Sequence, residues 1–369
     1  MPYYWPRETL LDFYRDIAAT PVDIVCLGET VCAKRRALGY ADWLELAASL
    51  QAAGKEVVLS TLTLLEAASE LGGLRRLCGQ RDFTVEANDL SAVHLLSGKA
   101  GFVTGPSVNI YNSRTLALLA GLGLQRWVLP VELSRDMLAD MQAERPAGVS
   151  TEVFVFGRLP LAWSARCFTA RAHNLPKDDC RFRCLDYPDG LLLSTREEQP
   201  FLVLNGIQTQ SARTLNLIGE LDDLAALGVD VLRISPQSRH TEAIIRAFHA
   251  CLHDRAAIPA SITALDGFMP VGSCNGYWHG DAGMDSSLEP VPLPARLSRG
   301  TGGAAGPGAS TGKPPPPGGH RDLPAKPDGA WPGETNRQGD SDSHVGGSQT
   351  KQRRHMGYTG DMLNDRQKP

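Results

Sequence analysis

The 369-residue sequence has no apolar run long enough to span a bilayer. Its opening stretch, MPYYWPRETLLDFYRD, has neither a basic n-region nor an apolar h-region. These absences lead us to expect a cytoplasmic protein without a secretory signal or transmembrane segment. In that compartment thiols stay reduced, and clustered cysteines bind metal more often than they form disulfides. Charge imbalance is missing as well. The chain carries 37 Lys and Arg against 41 Asp and Glu, a net charge of -4, so neither nucleic acid nor an anionic membrane is implied as a partner. No nucleotide-binding glycine fingerprint, zinc-protease helix motif or serine-hydrolase elbow occurs. Paired C-x-x-C spacings are also absent, which counts against the common zinc ribbons and fingers. Residues 285–369 lack Ile, Phe and Cys and include GTGGAAGPGASTGKPPPPGGH. Such a segment cannot bury enough apolar surface to offset its ordering entropy, and we expect it to be a disordered tail. The expected folded domain is therefore residues 1–284.

Within that domain the cysteines are the most informative residues. Three of the eight, Cys167, Cys180 and Cys184, fall in a polar loop that also holds Arg166, Arg171, Lys177, Arg181 and Arg183. Free cysteine normally behaves as a small buried hydrophobe, so packing explains this placement poorly and metal ligation explains it better. A tetrahedral zinc site or a cubane 4Fe-4S cluster needs a fourth donor. Cys32 supplies the best candidate, in DIVCLGETVCAKRR, again next to a basic run; Cys26 is the reserve. A cluster held by four thiolates is anionic, and flanking arginines offset that charge and donate hydrogen bonds to sulfur. Iron-sulfur cluster, zinc and unrelated thiols all remain open on spacing alone. Cys251 falls on the stripe Ile244, Phe248, Cys251, and Cys78 beside Leu74 and Leu77, both with the spacing of a helix core face.

Apolar runs alternate with helical patterns in the manner of parallel βαβ units. Strands are expected at 22–26, 56–60, 83–86, 101–104, 126–130, 152–157, 201–205 and 230–234. Helices are expected at 41–53, 62–77, 113–122, 134–144, 212–227 and 241–253, with Asn112 and Ser134 as N-caps. Eight strands in this length fit a (β/α)8 TIM-like barrel, with a doubly wound open sheet as the alternative. In a barrel the loops after the strands share one face. Cys32 follows strand one, and the other three cysteines occupy the long loop after strand six, so all four would meet there. Glu86, Asn109, Glu132 and Arg158 stand at the same strand ends and are the candidates for contacting substrate. The long cysteine loop carries Leu159, Leu161, Trp163, Phe168 and Leu175, which either form an interface or plug the barrel mouth.

The run Glu152, Phe154, Gly157, Leu159, Ser164, Cys167 resembles the signature of the collagenase-like peptidase family. The family pattern has a cysteine shortly after the glycine, where this chain has Pro160, and Cys32 stands in for that ligand. The substitution is similar to the branch of the family that serves ubiquinone biosynthesis. This resemblance implies a barrel with a 4Fe-4S cluster held by Cys32, Cys167, Cys180 and Cys184. It also implies oxygen-independent hydroxylation of a prenylated aromatic, in a heterodimer with a homologous UbiU-like subunit and with a UbiT-like lipid-binding helper. Alternatives within the family are a cluster-stabilised non-catalytic partner, a peptidase, or an RNA-base hydroxylase. A peptidase lacks a visible nucleophile and base pair, and the low basic content weighs against RNA.

Overall fold

The computed structural model describes residues 1–286, so the expected tail lies, but for its first two residues, outside the described residues. The strands are β1 (Ile24–Leu27), β2 (Glu56–Ser60), β3 (Thr84–Ala87), β4 (Phe102–Thr104), β5 (Leu124–Val128), β6 (Ser150–Trp163), β7 (Leu191–Ser194), β8 (Pro200–Asn205), β9 (Gln208–Asn216), β10 (Val231–Ile234) and β11 (Ser273–Cys274). The helices are α1 (Arg7–Ala18), α2 (Tyr40–Ala52), α3 (Leu71–Gly79), α4 (Leu90–Leu96), α5 (Ser113–Gly121), α6 (Arg135–Ala143), α7 (Phe168–Ala172), α8 (Leu221–Ala226), α9 (Thr241–His253), α10 (Ile258–Asp266) and α11 (Gly276–His279).

Strands β1 to β6 pair in chain order, each parallel to the last, and β10 lies parallel to the first half of β6. Along this path β3 and β10 are four strands apart, about 19 Å in a flat sheet. Yet Arg233 of β10 hydrogen-bonds Glu86 of β3, and its Nη2 lies 3.8 Å from Cys26 Sγ on β1. The sheet therefore curls until its first and last parallel strands face each other. No ladder joins β1 to β10 among the described residues, so the expected closed eight-stranded barrel is replaced by a curled, parallel-rich sheet with an open seam.

The expected seventh strand is β8, and it lies outside the curl. The second half of β6 continues past Gly157 and pairs antiparallel with β9, which pairs with β8, which pairs with the edge strand β7. Gly157 has φ +129°, and a Cβ there would sit 2.5 Å from Ser235 Cβ, so β6 passes the end of β10 only because this residue has no side chain. The helix expected at 212–227 is correspondingly a strand for its first part. Pairing with β6 and β8 on both sides overrides the weak helix propensity of QSARTLN, and only Leu221–Ala226 is α-helical. The helix expected at 62–77 begins only at Leu71, after a 3-10 turn at Ala68–Glu70.

The predicted caps hold. Asn112 Oδ1 accepts from Thr115 N at 2.8 Å and Ser134 Oγ from Met137 N at 3.3 Å, satisfying donors that the first helical turn leaves free. Helices α1 and α2 pack Leu10, Tyr14, Ile17, Ala47 and Leu50 against Val25, Leu27 and Val57. The larger core lies beneath α3 to α6 and α8 to α10, and includes the predicted stripe Ile244, Phe248, Cys251.

Candidate metal centre and interior cavity

Both cysteine-bearing loops leave the C-terminal ends of their strands. β1 ends at Gly28 (φ +119°), where a Cβ would lie 2.7 Å from Ser60 O, and the chain swings through Glu29 to Cys32. Glu29 Oε1 accepts from the backbone N–H groups of Val31 and Cys32 at 2.9 and 3.1 Å, fixing this turn. The second loop follows β6. Cys167 is the N-cap of α7, and its Sγ accepts from Ala170 N at 3.4 Å. Cys180 and Cys184 follow on two 3-10 turns, joined through Arg181 and Phe182, both in the left-handed backbone region.

The two loops are tied together by cations. Lys34 Nζ donates to Lys177 O and Asp178 Oδ1, both at 2.9 Å, binding the Cys32 loop to the Cys180 turn. Arg35 is buried between the loops. Its Nη1 donates to Pro2 O at 2.8 Å, its Nη2 to Asn205 Oδ1 at 2.7 Å, and the guanidinium also hydrogen-bonds Cys184. Burial pushes the thiols of Cys32, Cys167 and Cys184 up, against the pull of Arg35. Each of the four cysteines is within electrostatic reach of another: Cys32 of Cys167, Cys167 of Cys180, and Cys184 of both Cys32 and Cys167.

Among the described residues, no group of three or more His, Cys, Asp or Glu side chains stands at metal-holding geometry. The donor chemistry nonetheless fits an anionic thiolate-bound cluster. Three half-buried thiols, Cys32, Cys167 and Cys184, lie in electrostatic reach of a buried guanidinium whose Nε has no hydrogen-bond partner, Cys180 lies near Lys34, and Cys167 already accepts an N–H···S bond. An unpaired donor of this kind costs about 1–3 kcal/mol, and a thiolate or bridging sulfide nearby would satisfy it. His173, the one histidine in the loop, is engaged instead by the Tyr187 hydroxyl at 2.9 Å.

The other four thiols belong to different surroundings. Cys26, the reserve ligand, faces Arg233 inside the curl, and Cys78, Cys251 and Cys274 are buried in the main core. Burial pushes the thiols of Cys26 and Cys274 up to about 12 and that of Cys78 up to about 11.

Inside the curl lies a cavity of about 230 Å³. Its charged wall holds buried ion pairs, in which Arg233 binds both Glu86 and Glu152. The pairing continues away from the cavity, where Arg126 Nε lies 2.9 Å from Glu152 Oε2 and Arg126 Nη1 lies 3.1 Å from Oε1 of the exposed Glu56. Ser60 Oγ donates to Glu86 Oε2 at 2.7 Å. Against the desolvation of full burial, Arg233 together with Ser60 and Asn88 holds the Glu86 carboxyl below the usual range. Of the predicted substrate residues, Glu86 and Arg158 line this cavity. Arg158 Nη1 donates to Asp189 O at 2.5 Å. Asn109 and Glu132 are exposed and do not line it; Glu132 stands beside Tyr111.

The cysteine loop folds back more than it projects. Leu159 is buried, Leu161, Trp163 and Leu175 are half-buried, and Phe168 alone of the predicted apolar set is exposed. Exposed apolar side chains do occur further along, at Phe182, Leu185, Leu192, Leu193 and Phe201. Sequence reasoning missed the role of the first residues. Pro2 O accepts from Arg35 and Asn205, Tyr3 OH donates to Gln210, and Trp5 Nε1 donates to Pro188 O at 2.7 Å, so residues 2–5 clasp both loops. The aromatic cluster YYW was the available signal.

A curled, parallel-rich sheet whose loops after β1 and β6 carry half-buried thiols defines an α/β protein. Residues 12–264 match the sequence profile of peptidase family U32, and the chain belongs to that family. Two solved structures are similar in part. One is the U32 peptidase Mk0906, at 11% identity and a TM-score of 0.34, covering 58% of this chain and 83% of that one. The other is a mutant O-GlcNAc hydrolase from Thermobaculum terrenum, at 11% identity and a TM-score of 0.31, covering 71% of this chain and 61% of that one. Among the described residues no helix is long and apolar enough to cross a membrane.

Proposed function

We propose that the chain is a UbiV-like iron-sulfur subunit of an oxygen-independent hydroxylase that acts on the ring of ubiquinone precursors. It would work in a heterodimer with a UbiU-like subunit and with a UbiT-like lipid-binding helper. What supports this reading is that Cys32, Cys167, Cys180 and Cys184 stand half-buried on two loops tied together by Lys34 and Arg35, with Arg35 in electrostatic reach of Cys32, Cys167 and Cys184. When bound, a 4Fe-4S cluster supplies one-electron transfer. This chain's own residues do the remaining work. Arg35 and Lys34 offset the charge of the thiolates, and residues 2–5 hold the two loops in register. Glu86, held ionised by Arg233, offers a fixed carboxylate on the wall of a partly open cavity, and Arg158 offers a donor in its lining.

The peptidase reading suggested by the family's description lacks support at this site. No histidine lines the cavity, and burial keeps the Cys26 thiol protonated at neutral pH. The functional test is anaerobic turnover of a prenylated phenol by the chain alone, by the partner alone and by the co-expressed pair. Hydroxylated product from the pair only, lost in Cys184→Ala, is expected. Peptide hydrolysis by the isolated chain, with no hydroxylation by the pair, would overturn the reading.

A further inference from the structure

The cavity does not stop at the inner face of the curl. Successive residues of a strand point to opposite faces of its sheet. On β1 the cavity is lined by Ile24, Val25 and Cys26, and on β10 by Val231, Leu232, Arg233 and Ile234. One void touched by consecutive residues of both strands must pass between them, and this is where no ladder joins β1 to β10. Beyond the seam its walls are mostly apolar: Phe13, Tyr14 and Ile17 of α1, Val22 before β1, and Ile245 of α9, with Thr241 beside it. At the other end the walls are polar. Arg158 and Gln210 stand there with Trp163, whose buried indole Nε1 has no hydrogen-bond partner among the described residues. Gln210 accepts from Tyr3 through Oε1, which leaves its NH2 group as a donor. The polar end thus offers donors that lack an acceptor, and the far end is mostly apolar, with the hydroxyl groups of Tyr14 and Thr241 as its polar exceptions.

We infer that this cavity binds an amphipathic small molecule, with an oxygen-bearing head beside Trp163 and an apolar tail passing through the seam between β1 and β10. A cavity of roughly 150 Å³ holds benzene, so about 230 Å³ holds a ring with a short part of its tail, and a longer tail emerges beneath α1. The inference deepens the proposed function, on which it rests only for the identity of the head.

The test is calorimetric titration of the full chain with phenol, 4-ethylphenol and 4-butylphenol, which needs neither metal nor partner. Binding is expected to tighten roughly fourfold for each added methylene. Val22→Trp, at the outer end of the slot and outside any strand, and Ile24→Phe, within it, are expected to abolish that dependence while phenol still binds. Trp163→Phe is expected to weaken all three ligands by a similar factor, about fivefold. No gain with chain length in the unmodified protein, or a gain that survives both slot-filling substitutions, overturns the inference. Failure of anaerobic hydroxylation with the chain-length dependence intact overturns the proposed function and leaves the slot standing.

Discussion

The eight cysteines divide between two regions that treat the same side chain in opposite ways. Cys78, Cys251 and Cys274 are buried among aliphatic and aromatic neighbours, where a thiol acts as a small hydrophobe. Cys32, Cys167, Cys180 and Cys184 are half-buried in loops, close to Lys34, Arg35 and Arg183. Burial raises the thiols of Cys78 and Cys274 and also those of Cys32, Cys167 and Cys184, so burial alone does not separate a packing cysteine from a ligand. The separating feature is a buried cation next to the sulfur, one that is paired with Glu29 but keeps one nitrogen unbonded. Arg35 has a buried nitrogen without a partner, whereas the Cys251 thiol lies 3.2 Å from the neutral Ser261 Oγ.

The largest effect expected from this contrast is on metal content. After anaerobic reconstitution, Cys167→Ala and Cys184→Ala should lose essentially all iron, while Cys78→Ala and Cys251→Ala should keep it. Iron analysis of the four variants decides this, and equal loss across both groups would erase the distinction.

Cys26 tests the boundary between the regions, because it lies on a strand like a packing residue yet is half-buried and close to a charge. Its neighbour Arg233 holds two buried carboxylates, so Arg233→Met should leave uncompensated charge and cost about 3–5 kcal/mol, read as a lowered denaturation midpoint. The same network sets an acid limit. A carboxyl held below its unfolded value adds stability above that value and loses it as pH falls through the folded one. Stability should therefore fall below about pH 4.3, the ordinary glutamate value, and Glu86→Gln should flatten that part of the profile.

Reactivity gives a gentler comparison. With thiols pushed up to about 12 and 11, Cys26 and Cys78 should hold roughly a thousandfold and a hundredfold less thiolate at pH 8 than in the unfolded chain and alkylate with iodoacetamide correspondingly slowly, as mass spectrometry of the labelled peptides would reveal. The smallest effect belongs to Cys251→Ala, which should cost only about 1 kcal/mol of stability, since it removes one small buried group.

Much of this was legible in the sequence, and the failures have a common cause. Strands β1 to β6 and β10 were legible because each is a short Val, Ile or Leu run between turn signals. The stripe ending at Cys251 was legible from helical spacing, and the loop thiols from their basic neighbours. The segment Gln208–Asn216 was misread because its partners, β6 and β8, determine its conformation and local propensity does not. Closure of the barrel was misjudged for a related reason. Whether β10 meets β1 depends on curvature summed over seven strands, which no local pattern records. Glu152 was used only as part of a signature, and Arg126 was passed over. Their charge within strands was the available sign of the buried ion pairs. Asn109 and Glu132 illustrate the opposite error, since a place at a strand end does not turn a side chain toward the cavity.

The central claim is that the loop thiols hold a cluster, and the most direct measurement is absorbance with iron and sulfide analysis on the full chain prepared without oxygen. A brown protein with about four irons and matching sulfide, bleached by air, is the expected result. Stoichiometric zinc without sulfide, or full iron in Cys32→Ala with loss in Cys26→Ala, would contradict it.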